Sequence, residues 1–215
     1  MDVAILRVRS TKNRIIMHYG REQTDMITSS NNAKVKQVVQ WQTKAKERRK
    51  DHVFLAEGVR MCEEAPVKNV REVYLTEELE QKLRQNAQNG DTAFWDKLQQ
   101  TGYETVSPEV FAKMADTQTP QGILTVLEQP SYDLTQLLEQ PEPLFLILEN
   151  LQDPGNLGTM IRTGEGAGIT GVIMNSQTVD IFNPKTIRAT MGSIFRVPFV
   201  YVPELSPVLT QMHEK

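Results

Sequence analysis

Apolar residues along the chain occur either in short continuous runs or at helical spacing. The run LFLIL (144–148) is typical of a strand that is buried on both faces of a parallel sheet. Elsewhere apolar residues recur every three or four positions, which is the period of an amphipathic helix. One such stripe, in the segment 29–50, consists of Val35, Val38, Trp41 and Ala45. Runs of the two kinds alternate, which predicts an α/β fold.

Short polar signals predict where several helices begin. A Ser or Asn before an apolar stripe can accept a hydrogen bond from a free backbone amide, and Pro suits the first helical turn. We predict one continuous helix over 29–50. The predicted caps are Ser30 or Asn31 for that helix, Ser107 before Pro108, and Ser206 before Pro207.

The alternation of strands and helices occurs twice, which predicts two domains. The proline-rich segment 130–143 separates them and is predicted to be a linker with room for one short helix. The first α/β domain is predicted over 27–129, and the second begins at 144 and continues to 215. Residues 1–26 are Arg-rich with little apolar periodicity, and we expect a flexible extension there.

Charge is distributed unevenly although the net charge is only −3. Residues 1–60 contain 13 Lys and Arg against 6 Asp and Glu, whereas the remainder contains 11 against 21. Such asymmetry is typical of a chain whose basic end meets a polyanion, although a solvated helix face would give the same pattern. The candidate RNA-binding residues are Lys34, Lys36, Arg48 and Arg49.

Several kinds of chemistry have no support in the sequence. The one cysteine, Cys62, excludes a disulfide framework and fits a reducing cytoplasm, where we expect the protein to be. The three histidines are scattered, so no metal site is expected. No apolar run reaches the roughly 18 residues of a membrane span. The glycine run GEGAG (164–168) closes a predicted helix, whereas a dinucleotide-binding loop opens one.

The segment ENLQDPGNLGTMIR (149–162) is the strongest candidate for a site. It follows a predicted strand, and ligands of open parallel sheets bind beyond the carboxyl ends of the strands. We expect Asn156 to cap the following helix. Arg162, further along that helix, suits phosphate or ribose hydroxyls. A capped helix whose Arg pairs with a surface carboxylate would explain the same residues.

The segment LILENLQDPGNLGTMIRTGEGAGITGVIM (146–174) closely resembles the first signature motif of the SpoU (TrmH) family of RNA ribose 2′-O-methyltransferases, which belongs to the SPOUT superfamily. The spacing of Asn156 and Arg162 matches that motif. KTIRATMGSIFRVPF (185–199) resembles the segment that follows in the family. SNNAKVK, RRKDHVFLAEGVR and FAKMADTQTPQGILTV resemble pieces of its substrate-binding domain.

The resemblance implies a small ribosomal-protein-like RNA-binding domain followed by a Rossmann-like SPOUT domain, the α/β knot. It implies S-adenosyl-L-methionine as cofactor, RNA as substrate, with ribosomal RNA favoured over transfer RNA, and a homodimer. Arg162 and Asn156 are then the expected catalytic residues. Arg162 would engage the RNA at the ribose, and Asn156 would shape the site.

The resemblance also has a gap. The family's second and third motifs, which form the knot and most of the cofactor pocket, follow the third strand of the domain, and the sequence stops at Lys215 before either. We therefore expect a truncated member with an incomplete SPOUT domain, whose cofactor-binding residues lie C-terminal to Lys215. The alternative is a non-catalytic RNA-binding protein that retains the first domain.

Overall fold

The computed structural model describes residues 25–214, which form two β-sheets covered by helices. This arrangement confirms the predicted α/β fold class. Residues 1–24, nearly all of the predicted extension, lie outside the described part of the chain.

The first sheet has the strand order β1-β4-β2-β3. Strand β4 lies antiparallel between β1 and β2, and β3 extends the sheet in parallel with β2. Its strands are β1 (Val53–Glu57), β2 (Val70–Thr76), β3 (Glu104–Val106) and β4 (Ile123–Glu128). Its helices are α1 (Ala33–Thr43), α2 (Ala45–Asp51), α3 (Val59–Glu64), α4 (Glu77–Gln88), α5 (Ala93–Thr101) and α6 (Pro108–Met114).

The second sheet is parallel throughout, with the order β5-β6-β7. Its strands are β5 (Phe145–Leu148), β6 (Gly171–Asn175) and β7 (Phe199–Val202). The helices are α7 (Leu134–Leu138), α8 (Pro154–Gly166), α9 (Pro184–Thr190) and α10 (Ser206–His213). Helix α7 lies within the proline-rich segment 130–143, where the sequence predicts that one short helix can form.

The prediction of one helix over 29–50 is wrong, because the chain leaves helical geometry at Lys44 (φ −122°, ψ 108°) and forms α1 and α2. The break frees the last carbonyls of α1, and Arg48 accounts for two of them. Its Nη1 donates to the carbonyls of Trp41 at 2.7 Å and Gln42 at 3.3 Å. The Arg48 guanidinium thus supplies the hydrogen-bond donors that the backbone amides of a continuing helix would have supplied.

Of the predicted helix caps, only one is confirmed. The Ser107 hydroxyl accepts a hydrogen bond from the amide of Val110, and Pro108 opens α6. The first helix is capped by Asn32, whose side chain accepts from Lys34 N at 2.9 Å, rather than by Ser30 or Asn31. Ser206 is the first residue of α10, not its cap.

Strand β5 is less buried than its apolar sequence predicts. Three of its four residues are only half-buried, and Leu144 just before it is 53% exposed. The reason is its position, because β5 is at the end of the strand order and pairs with β6 alone among the described strands.

The two sheets share one apolar core. Phe54, Ala56 and Leu127 of the first sheet lie in the same buried cluster as Val172 and Met174 of the second. The ring of Phe54 packs on that of Phe182, with centroids 5.0 Å apart. The two units are therefore joined by continuous apolar packing, which fixes how the helices of one face those of the other.

Candidate functional site

The loops that follow β5 and β6 lie at the carboxyl edge of the parallel sheet and are tied together by two asparagines. The side-chain amide of Asn175 donates to Asn150 Oδ1 at 2.7 Å, and Asn175 Oδ1 accepts from the backbone N–H of Asn150 at 3.0 Å. Thr178 donates to the same Asn175 oxygen at 2.8 Å. Asn150 has φ 54°, a left-handed conformation that Asn tolerates better than most residues. These contacts hold the loop before α8 in a defined path.

Helix α8 begins with a cap that differs from the predicted one. Asp153 Oδ1 accepts a hydrogen bond from the amide of Asn156 at 2.6 Å, and Pro154 occupies the first helical position. Asn156 is therefore not the cap, because its amide lies inside the first turn. Its side chain is exposed and makes no hydrogen bond within residues 25–214, so it remains available to a ligand.

Arg162 is exposed on α8, and its guanidinium forms neither a hydrogen bond nor an ion pair within the described part of the chain. No carboxylate of this part of the chain pairs with Arg162, which argues against the alternative that Arg162 forms a surface ion pair. From the geometry of an α-helix, Asn156 and Arg162 are about 9 Å apart along the axis and about 120° apart around it. Thr159 lies between them, and its hydroxyl donates to the Gly155 carbonyl at 2.9 Å. The three residues form one oblique row across the exposed face.

Helix α9 packs closely beside α8 because of a glycine. A Cβ built on Gly158 would be 2.5 Å from the Thr186 carbonyl oxygen and 2.6 Å from Ala189 Cβ. The contact brings Lys185 to the start of α8, where its ammonium is 3.7 Å from Asp153 Oδ2. Lys185 was not singled out by its sequence, although a lysine that opens the helix after the next parallel strand must lie at the same sheet edge.

Three of the four predicted RNA-binding side chains are accessible. Lys36 and Arg49 are exposed, and Lys34 is 54% exposed while paired with Glu104 at 2.7 Å. The structure does not bring these cations to one point.

The prediction for Arg48 is wrong. Its side chain is 3% exposed, and Nη2 pairs with Asp180 Oδ2 at 2.7 Å. Together with the bonds to the end of α1, this pairing gives Arg48 a structural role between the two sheets, because a guanidinium so enclosed has no face left for a phosphate.

The described residues offer little to a nucleoside cofactor at the carboxyl edge. The side-chain amide of Asn175 is committed to Asn150 Oδ1, its oxygen accepts from the Asn150 backbone and from Thr178, and Asn175 is 6% exposed. No residue of the described part of the chain is therefore assigned to holding S-adenosylmethionine.

The structure also bears on a metal site, a membrane span and a nucleophilic cysteine. Among residues 25–214 no group of three or more His, Cys, Asp and Glu side chains could hold a metal ion. None of the helices in that range has the length and apolar character of a membrane span. Burial raises the pKa of the Cys62 thiol to about 12, so it is not a ready nucleophile.

Two family profiles match the chain. Residues 32–125 match the MRM3-like substrate binding domain, and residues 143–215 match the SpoU rRNA Methylase family. The first match covers the sheet with the basic helices, and the second covers the sheet with Asn156 and Arg162.

Similar proteins include rRNA methyltransferases. The chain is 35% identical to the 23S rRNA (guanosine(2553)-2′-O)-methyltransferase RlmP of Bacillus subtilis over 188 residues, which are 83% of this chain and 68% of that protein. It is 41% identical to the human mitochondrial rRNA methyltransferase 3 over 110 residues, 49% of this chain but only 26% of that one.

A solved structure of an rRNA methyltransferase has the same fold. The crystal structure of an AdoMet-bound rRNA methyltransferase from Sinorhizobium meliloti superimposes with a TM-score of 0.72 at 27% identity, covering 88% of this chain and 69% of that chain. Fold, motif and relatives lead to one assignment: the chain belongs to the SpoU family of RNA ribose 2′-O-methyltransferases.

Proposed function

We propose that the protein transfers a methyl group from S-adenosylmethionine to the 2′-hydroxyl of a ribose in ribosomal RNA. The observation that carries this proposal is the exposed row of Asn156 and Arg162 on α8, two side chains without partners in the described structure, directly after β5 of a SpoU domain. The S. meliloti neighbour, determined with AdoMet bound, supports the choice of methyl donor.

Ribosomal RNA is favoured over transfer RNA because the names of the Bacillus subtilis and human relatives specify rRNA. A homodimer and a cytoplasmic location belong to the same proposal. The family resemblance favours the first, and the use of a single cysteine favours the second.

Arg162 acts on the RNA rather than as a base. A guanidinium stays protonated at any physiological pH, so it is poorly suited to removing the ribose proton. It can donate two hydrogen bonds to a phosphate or to the ribose, and it stabilises the negative charge that develops on the 2′-oxygen. The proton then passes to a neighbouring group or to solvent.

Asn156 contacts a different part of the RNA. Because it lies one and a half turns before Arg162, the two side chains do not converge on one atom. The amide of Asn156 can both donate and accept, which suits a sugar hydroxyl or a base edge. The row thus orients one nucleotide along α8.

The reaction is tested by incubating the protein with tritium-labelled methyl donor and 23S rRNA. Methylation of a 2′-hydroxyl blocks alkaline hydrolysis at that position, so the label should appear in alkali-resistant dinucleotides. Arg162→Ala should lower the rate by about 10²–10³, as for loss of a donor to an oxyanion. Its unfolding temperature should not change, because the side chain has no partner among the described residues.

The control is Arg84→Ala, an exposed arginine of α4 in the other domain, which should retain full activity. An Arg162→Ala enzyme with wild-type rate would remove the role given to Arg162. RNA binding without any transfer of label would favour the alternative, a non-catalytic RNA-binding protein.

A further inference from the structure

A groove with a volume of about 520 Å³ lies between α1 and α6, on the first sheet. The groove is shallow and open to solvent, so it can receive one face of a ligand. The residues that line it are Ser30, Val35, Lys36, Val39, Gln40 and Lys113.

The groove has an apolar floor and a polar rim. Val35, which is 1% exposed, closes the bottom, and the half-buried Val39 supplies the accessible carbon atoms. Lys36 and Gln40 lie on α1, and Lys113 is exposed on α6 across from them. A ligand with a carbon face and a charged or hydroxyl-bearing edge fits such a surface.

The two lysines of the groove carry charge that no acid neutralises within residues 25–214. Lys113 donates to the Ser30 hydroxyl at 3.1 Å, which holds its ammonium at the rim without cancelling its charge. Lys34, by contrast, is paired with Glu104. Glu109, one turn before Lys113 on α6, forms no ion pair with it. An anion between Lys36 and Lys113 would meet two ammonium groups that have no acidic partner in this range.

The groove is also connected to the second sheet. Asp116, three residues after Lys113, forms an ion pair with Arg188 of α9, and α9 packs on α8. The segment 113–116, at the edge of the groove, is therefore attached to the pair of helices that carries Arg162. RNA bound in the groove would lie next to this segment.

We propose that this groove binds one nucleotide of the RNA substrate. Its phosphate lies between the ammonium groups of Lys36 and Lys113, and the carbon face of its ribose lies on Val39, above the buried Val35. This role of the groove rests on the proposed function, since it takes the substrate to be RNA. It adds Lys113 to the RNA-binding residues and assigns Lys36 a specific ligand.

The test measures the affinity of fluorescently labelled 23S rRNA for the full chain at several KCl concentrations. In a Lys36→Gln/Lys113→Gln variant the affinity at 0.1 M salt should fall by roughly tenfold or more. The slope of log affinity against log salt should become shallower by about 0.7–0.9 for each phosphate that the variant no longer neutralises. Lys36→Arg/Lys113→Arg, which keeps both charges, should bind like the wild type.

The matched control removes two exposed lysines outside the groove, as Lys68→Gln/Lys82→Gln. If this control weakened binding as much as the groove variant, general charge rather than a site would be responsible and the groove would be rejected. Wild-type affinity in the groove variant would reject it as well, and would leave the proposed function standing. Failure of the wild-type chain to bind rRNA would instead contradict both.

Discussion

At the scale of single residues, two neighbouring arginines of α2 have different environments. Arg48 is almost fully enclosed, donating to the end of α1 and to Asp180, whereas Arg49 is exposed. Their sequence context is the same basic run, ERRK. One side chain therefore contributes to stability and the other is free to contact RNA.

Replacement of Arg48 should destabilise the protein. Arg48→Met leaves the Asp180 carboxylate, 19% exposed, without its main partner, and loss of one member of a buried pair costs about 3–5 kcal/mol. Denaturant unfolding measures this loss. Arg49→Met, the matched control, should unfold within about 0.5 kcal/mol of the wild type. Equal stability of the Arg48 variant would show that the pair contributes nothing.

At the scale of elements, the packing of α8 against α9 positions the candidate site. The two helices follow successive parallel strands, so both begin at the carboxyl edge of the sheet. Gly158 lets them approach so closely that a Cβ at this position would be 2.5 Å from the Thr186 carbonyl oxygen. Lys185 thereby reaches the first turn of α8, and the row from Asn156 to Arg162 faces outward.

Two glycines of α8 provide a matched pair of variants. Gly158→Ala gains helix propensity, but its methyl would overlap Thr186 and Ala189, and we expect a net destabilisation of about 1–3 kcal/mol. Gly166→Ala on the same helix meets nothing within 4 Å and should stabilise by up to about 1 kcal/mol. Thermal unfolding of both tests the idea, which fails if the two changes have the same sign.

At the scale of the whole molecule, the two sheets are held together by apolar packing and by ion pairs between them. Arg196 lies at the centre of one such cluster. It donates to Glu64 of α3 at 2.8 Å and, through two nitrogens, to Glu165 of α8. These hydrogen bonds lower the pKa of both carboxyls from their ordinary 4.5. The cluster joins the substrate-binding unit to the helix that carries Arg162.

Stability from this cluster should depend on pH. Because the folded pKa values of Glu64 and Glu165 are lowered, their contribution is complete above about pH 4.5 and diminishes as the pH falls through the lowered values. Arg196→Met should therefore cost about 1 kcal/mol at pH 7 and progressively less below about pH 4. Arg162→Met should show no such dependence. A destabilisation that is constant with pH would contradict the assignment.

Much of the local structure follows from the sequence alone, because caps and turns depend on a few consecutive residues. Ser107 with Pro108 predicts the start of α6 correctly, and the alternation of apolar runs predicts the α/β class. The segment DPGN predicts a helix start after β5, although its cap is Asp153 rather than Asn156. The motif with Arg162 was sufficient to predict the family.

What only the tertiary structure decides depends on residues far apart in the chain. Arg48 meets Asp180 across 132 residues, and Arg188 meets Asp116 across 72, so no local pattern shows which cations are paired. The groove likewise needs Lys36 and Lys113 from two helices. The sequence by itself determined the family of this protein and most of its elements, though not the break between α1 and α2 at Lys44. The tertiary structure decided which charges are buried and which remain exposed to solvent, because burial depends on what packs against a side chain.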